Sequence, residues 1–240
     1  MTVIPRGRPL SPGYRALRLL RRGHAVDVYD AWSEERGCRC IAKALRADRL
    51  ADREARLSLL LEARLLLDLS HPHLVRAYEL LRRPRPILVL ETLTGATVSR
   101  LISDHPRGFP ARDVLFLGIH IASALGYLHA TGYLHLDVKP SNVVAQGGSA
   151  KLIDLSLAER IGRRVPGVGT RGYMSPEQIA GRRLTTATDV WGLGRLLHEA
   201  AHGTTRLPRT AAQVIDACLQ ADPRARPALD ELSETFRAAV

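Results

Sequence analysis

Cysteine, lysine and aromatic residues are all scarce in this 240-residue chain. Its three cysteines, Cys38, Cys40 and Cys218, are odd in number, and two of them stand at alternate positions. That excludes a disulfide framework and fits reduced thiols in a reducing compartment. A Cys-x-Cys pair without a nearby histidine also falls short of a metal site. Aromatics are 5% of the residues, and the cations include no block of six. Although the net charge is +11, this spread argues against nucleic acid as the partner. No apolar run approaches the length of a membrane span, and no apolar segment stands behind Arg6 and Arg8. The default expectation is a cytoplasmic protein with no membrane segment. Hydrophobic content of 45% and charged content of 25% are ordinary for a folded chain of one large domain or two small ones. Nothing in the composition sets an oligomeric state.

The shortage of lysine is informative in its own right. Of 35 cations only Lys43, Lys139 and Lys151 are lysines, and the other 32 are arginines. A lysine kept in such a chain points to a place where a compact ammonium is needed. Lys139 lies within His135-Leu136-Asp137-Val138-Lys139-Pro140-Ser141-Asn142. The apolar run Ile119–Leu128 reads as a helix before this loop, and Val143-Val144-Ala145 as a strand after it. An acid, a cation and an amide spaced two and three residues apart suit phosphoryl transfer. The carboxylate takes a hydroxyl proton, the ammonium offsets charge on the moving group, and the amide oxygen ligates a metal ion.

Along the chain, residues 1–12 hold three prolines and no periodicity, and are expected to form a loose arm. Tyr14–Arg22, Val26–Trp32 and Arg39–Leu45 read as strands, with Gly23-His24-Ala25 as the first turn and Lys43 near the end of the third. Ala51–Leu69 has helical spacing, with Leu57, Leu61 and Leu65 on one face and Glu62 interrupting the leucines. Leu74–Leu81 and Pro86–Glu91 supply two more strands. From residue 97 the pattern turns helical, with Val98–Ser103 short and Ala111–Thr131 long. Ala150–Ile153 reads as a strand leading into Asp154-Leu155-Ser156.

These stretches resemble, in order, the motifs of the protein kinase family, closest to actinobacterial-type Ser/Thr kinases. The loop at Asp137 resembles H-R-D-x-x-x-x-N, with Leu136 where Arg is usual. Residues 21–28 resemble the Gly-rich loop, G-x-G-x-x-G-x-V, keeping Gly23 and Val28, with Arg21 and Val26 in place of the outer glycines. Lys43 resembles the third-strand lysine and Glu62 the helix glutamate that pairs with it. Asp154 stands for the Asp of D-F-G. Gly169 to Glu177, G-T-R-G-Y-M-S-P-E, resembles the end of the activation segment, and Asp189–Gly194 and Asp222–Pro227 resemble D-V-W-S-x-G and D-P-x-x-R-P.

The resemblance implies an α+β, bilobal protein-kinase fold: a five-stranded antiparallel sheet with one helix, then a larger, mainly helical lobe. In that alignment 13–91 is the small lobe, 92–95 the hinge, and 96–240 the large lobe, with a shortened helix-G region after Gly203. It implies ATP and Mg2+ as cofactors and a protein Ser/Thr hydroxyl as acceptor. Asp137 is then the base, and Lys139 stabilises the transferring group. Thr170 touches both and marks Ser/Thr specificity. Asn142 and Asp154 hold the metal. Lys43, locked by Glu62, holds phosphates, while the Glu91 carbonyl and the Leu93 backbone meet adenine. The lost glycines, Leu136 and Ser156 keep open a pseudokinase that binds without turnover. A small-molecule phosphotransferase is the third reading. Residues 157–169 contain no Ser, Thr or Tyr. With Leu136 in place of Arg, no phosphate-driven switch is expected there.

Overall fold

A computed structural model describes residues 3–203 and 205–240, which form two compact units. The first runs to Ser70 and resumes at Val75–Leu93; the second comprises His71–Leu74 and Thr94–Val240.

The first unit is built on one antiparallel sheet of strands β1 (Pro9–Ser11), β2 (Tyr14–Arg22), β3 (Val26–Ser33), β4 (Cys38–Leu45), β5 (Ala77–Leu81) and β6 (Ile87–Glu91), with helix α1 (Arg53–Asp68). The strand order is β1-β2-β3-β4-β6-β5. Cys40, Ala42 and Ala44 alternate along β4 and pack with Tyr14, Tyr29 and Ile87. The period of two turns Lys43 to the opposite face. There it pairs in register with Val28 of β3 and Leu88 of β6. Burial pushes the Cys40 thiol up to about 12, so it stays protonated and unreactive.

Three expectations are corrected here. The supposed loose arm is a sixth strand: Pro9–Ser11 pairs with β2, Leu10 is buried, and the Ile4 amide donates to the Tyr29 hydroxyl at 3.2 Å. Leu74 is not part of a strand with Leu81; it forms an isolated parallel bridge with Leu152 in the second unit. On α1 the inward face carries Leu59, Glu62, Ala63, Leu65 and Leu66, whereas Leu57 is 53% exposed. Asp52 caps this helix by accepting from the Ala55 amide.

The second unit opens with β7 (Ala96–Thr97) and α2 (Val98–Asp104), and centres on α3 (Ala111–Ala130). Strands β8 (Tyr133–Leu134), β9 (Val143–Gln146), β10 (Ser149–Leu152) and β11 (Glu159–Arg160) follow. Helices α4 (Pro176–Ile179), α5 (Thr186–Ala200), α6 (Arg209–Cys218) and α7 (Leu229–Arg237) complete it. Contrary to the sequence reading, α3 is long and apolar enough to cross a membrane by length and composition. However, Leu115, Ile121, Leu125 and Leu128 are each no more than 1% exposed, the packing of a core helix. The Phe236 ring of α7 lies so close to Gly118 that a Cβ there would meet it at 2.2 Å. Among the described residues between α5 and α6, none is helical.

Candidate active site

The loop from His135 to Asn142 leaves β8, passes through a 3-10 turn at Pro140–Asn142 and enters β9. Its backbone is anchored by Asp189, in the first turn of α5. The Asp189 carboxylate accepts from the amides of His135 and Leu136, both at 2.8 Å, and lies 2.7 Å from His129 Nε2. Burial pushes this carboxyl up, but the hydrogen bond and charge of His129 and the bond from His135 outweigh it. The group is held below its ordinary value and stays ionised.

Leu136 adopts a left-handed φ of 63°. A leucine there costs on the order of 1–3 kcal/mol, so the surroundings must hold it. They do so at both ends: its amide donates to Asp189, and its carbonyl accepts from Gln178 Nε2 at 3.0 Å. Gln178 also donates to the Val168 carbonyl at 2.9 Å, tying the segment before Gly169 to the same loop. The Leu136 side chain is buried with Leu134 and Leu184, against Val165 and Val168.

At the centre, the Asp137 carboxylate receives three side chains. Thr170 Oγ1 donates to Oδ1 at 2.6 Å, Lys139 Nζ donates to Oδ2 at 2.6 Å, and Asn142 Nδ2 donates to Oδ2 at 2.9 Å. Lys139 Nζ also donates to Thr170 Oγ1 at 2.5 Å, which closes a triangle of acid, cation and hydroxyl. Asp137 is 8% exposed, so these bonds act at reduced dielectric. The Asp137 amide donates to His135 Nδ1 at 3.2 Å, which leaves Nε2 to carry the ring proton toward the Ile153 carbonyl at 3.3 Å. The Ile153 amide in turn donates to the Asn142 carbonyl at 2.8 Å. Asp154, with φ of 70°, directly follows the Ile153 that this bond ties to Asn142.

These two residues fit a magnesium ion by chemistry. Asn142 spends its amide nitrogen on Asp137, which leaves its oxygen as the end available to a cation, and Asp154 adds a carboxylate. Two hard oxygen donors are the share a protein contributes when substrate phosphates and water complete an octahedron.

In the first unit, Lys43 Nζ donates to Glu62 Oε1 at 2.6 Å, and the two side chains are 10% and 1% exposed. Gly23 makes the β2–β3 turn, its amide donating to the Val26 carbonyl at 2.9 Å, and a Cβ there would meet that oxygen at 2.5 Å. Val28 sits beside Lys43 in the sheet. Glu91 ends β6, and its side chain accepts from the Arg76 amide at 2.8 Å. Leu93 is the last residue of the first unit, inside the 92–95 span expected as the hinge. The structure thus gathers Asp137, Lys139, Asn142 and Thr170 into one bonded cluster and Lys43 with Glu62 into another.

Sequence reasoning gave Asp189 no chemical role and passed over Gln178 and Leu184. Gln178 has a visible signal, the capping box it forms with Ser175 at the start of α4. The role of Asp189 depends on partners more than fifty residues away, and that of Leu184 on its packing with Leu134 and Leu136.

The model of the protein kinase domain family matches residues 14–213. A probable serine/threonine-protein kinase of Streptomyces coelicolor is 31% identical over 205 residues, covering 80% of this chain and 30% of that relative. CBL-interacting protein kinase 4 of Oryza sativa subsp. japonica is 32% identical over 229 residues, covering 91% of this chain and 50% of its own length. Serine/threonine-protein kinase PkaA of Streptomyces coelicolor is 30% identical over 228 residues, with coverage of 81% and 42%. The chain therefore spans half or less of the length of these relatives. With the family's motifs in order and its residues bonded as described, the chain belongs to the protein kinase domain family.

Proposed function

We propose that this chain is an ATP-dependent protein kinase that phosphorylates Ser or Thr hydroxyls in protein substrates, with Mg2+ as its metal. The observation that carries the reading is the Asp137 carboxylate shared by Lys139, Asn142 and Thr170. The acceptor oxygen attacks the γ-phosphorus, the bond from that phosphorus to the β–γ bridging oxygen breaks, and ADP leaves with the electron pair. Asp137 orients the acceptor and takes its proton. Lys139 offsets the charge that develops on the transferring group. Asn142 and Asp154 would hold magnesium, which supplies charge neutralisation on the phosphate oxygens when bound. Lys43, held by Glu62, binds the α- and β-phosphates. The Glu91 carbonyl and the Leu93 backbone receive adenine, and Gly23 and Val28 contribute the loop over the nucleotide. The test is incubation with γ-labelled ATP, magnesium and a mixed peptide library, followed by phosphoamino-acid analysis. Phosphoserine or phosphothreonine is expected, and label confined to small molecules would contradict the reading.

Leu136 makes this a kinase without the arginine that gathers an activation-loop phosphate in most of the family. Apolar packing of Leu136 with Leu184, Val165 and Val168 takes over the ordering of the segment. Each such buried leucine contributes about 1.5–3 kcal/mol. Phosphatase treatment is therefore expected to leave the initial rate on a peptide substrate unchanged. A large fall, restored by pre-incubation with ATP and mapped to residues 157–169, would contradict this.

A further inference from the structure

From Leu157 to Arg195 the second unit carries seven arginines and three acids. The exposed charges are all of one sign. Arg160, Arg163, Arg164, Arg171, Arg182 and Arg183 are exposed, while Glu177 and Asp189 are buried and Glu159 is half-buried. The acids are also engaged: Glu177 with Arg226, Asp189 with His129, and Glu159 with Arg163 at 3.9 Å.

The backbone brings Arg163, Arg182 and Arg183 together. The Gly162 amide donates to the Leu184 carbonyl at 2.8 Å, and the Leu184 amide donates to the Arg163 carbonyl at 3.0 Å. That pairing sets Arg163 beside Arg183, whose guanidinium lies 3.3 Å from the position of a Cβ on Gly162. Arg182 follows in the same turn, its amide donating to the Glu177 carbonyl at 2.9 Å. Arg171 directly succeeds Thr170, the residue bonded to Asp137 and Lys139. Exposed guanidiniums without matching exposed acids present forked donors to carboxylates.

We propose that this surface selects protein segments rich in Asp and Glu around the acceptor hydroxyl. Its position relative to the acceptor rests on the kinase reading above, whereas recognition of the acidic segment stands on the charge and geometry alone.

The test measures binding and turnover separately. Fluorescent peptides carry one central Ser, or Ala in its place, flanked either by Asp and Glu or by Asn and Gln. The full chain is expected to bind the acidic Ala peptide roughly tenfold tighter than the amide version, with the difference shrinking as salt rises. The triple variant Arg163→Gln, Arg164→Gln, Arg183→Gln is expected to lose most of that preference. Arg209→Gln, Arg224→Gln, Arg237→Gln removes the same charge from other exposed arginines and is expected to keep it. For the Ser peptides, KM is expected to follow binding while kcat changes little.

Equal binding of the two peptides, or an equal loss in both triple variants, would overturn the proposal. So would a short DNA duplex that binds more tightly than the acidic peptide and is lost in the first triple variant. Turnover of both Ser peptides with no acidic preference would overturn the proposal and leave the kinase reading standing. An acidic binding preference without any phosphoryl transfer would do the reverse.

Discussion

Lys43→Met is expected to reduce phosphoryl transfer by roughly 10²–10³-fold, the scale set by removing one preorganised electrostatic group. The same change strips Glu62, 1% exposed, of the ammonium 2.6 Å away. A buried carboxylate that loses its partner costs about 3–5 kcal/mol. In a chain of this size that lowers the melting temperature by roughly 2–4 °C per kcal/mol. Loss of activity alone would therefore be ambiguous between a catalytic and a structural role. Adding Glu62→Gln to Lys43→Met separates them, because a neutral amide tolerates a buried site without the ammonium better than a carboxylate does. The double variant is expected to recover most of the lost melting temperature and none of the activity. Recovery of activity with stability would assign the pair to the fold and not to phosphate binding.

The second large effect concerns stability. Arg226 and Glu177 meet in a bidentate pair at 2.7 and 2.8 Å, with side chains 0% and 4% exposed. Arg226 also donates to the carbonyls of Ala187 and Gln220, and Thr188 Oγ1 donates to Glu177. One guanidinium thereby ties the end of the activation segment to the start of α5 and to the turn before α7. Arg226→Met leaves the Glu177 carboxylate buried and is expected to cost about 3–5 kcal/mol in denaturant unfolding. Burial pushes the Glu177 carboxyl up, but the bond and charge of Arg226 outweigh it and hold it below its ordinary value. A depressed folded value means the stabilisation is complete above the ordinary carboxylate range and is lost as pH falls through the folded value. The difference between wild type and Arg226→Met is accordingly expected to shrink in acid. A difference independent of pH would assign the loss to packing of Arg226 over Trp191 instead, where the guanidinium lies 5.0 Å from the ring centroid.

The site was legible in the sequence where residue chemistry was itself unusual. Asp137, Lys139 and Asn142 sit on eight consecutive residues with an acid, a cation and an amide at close spacing, and Lys43 stood out because arginine fills nearly every other cationic position. Glu62 was readable as an acid interrupting the run of leucines. The face of α1 was not, because leucines at 57, 59, 60, 61, 65, 66 and 67 leave too little contrast to fix the helical phase. Three residues of β1 carry no periodicity, and their pairing depends on β2, which supplies the hydrogen bonds. Asp189 was visible as a motif, but its work on the amides of His135 and Leu136 crosses more than fifty residues. Leu136 read as a missing cation. Its replacement by an apolar cluster with Leu184 and Val168 emerges only when those side chains meet.

The central claim is that Asp137 serves as the base for transfer to a Ser or Thr hydroxyl. Incorporation of label from γ-labelled ATP into a Ser/Thr peptide, with magnesium, by wild type and by Asp137→Asn tests it most directly. The account predicts steady incorporation by wild type and a rate lower by roughly 10²–10⁴-fold in the variant, the range for loss of a general base, with the melting temperature little changed. Equal rates in the two proteins, or no peptide labelling by folded wild type, would contradict it.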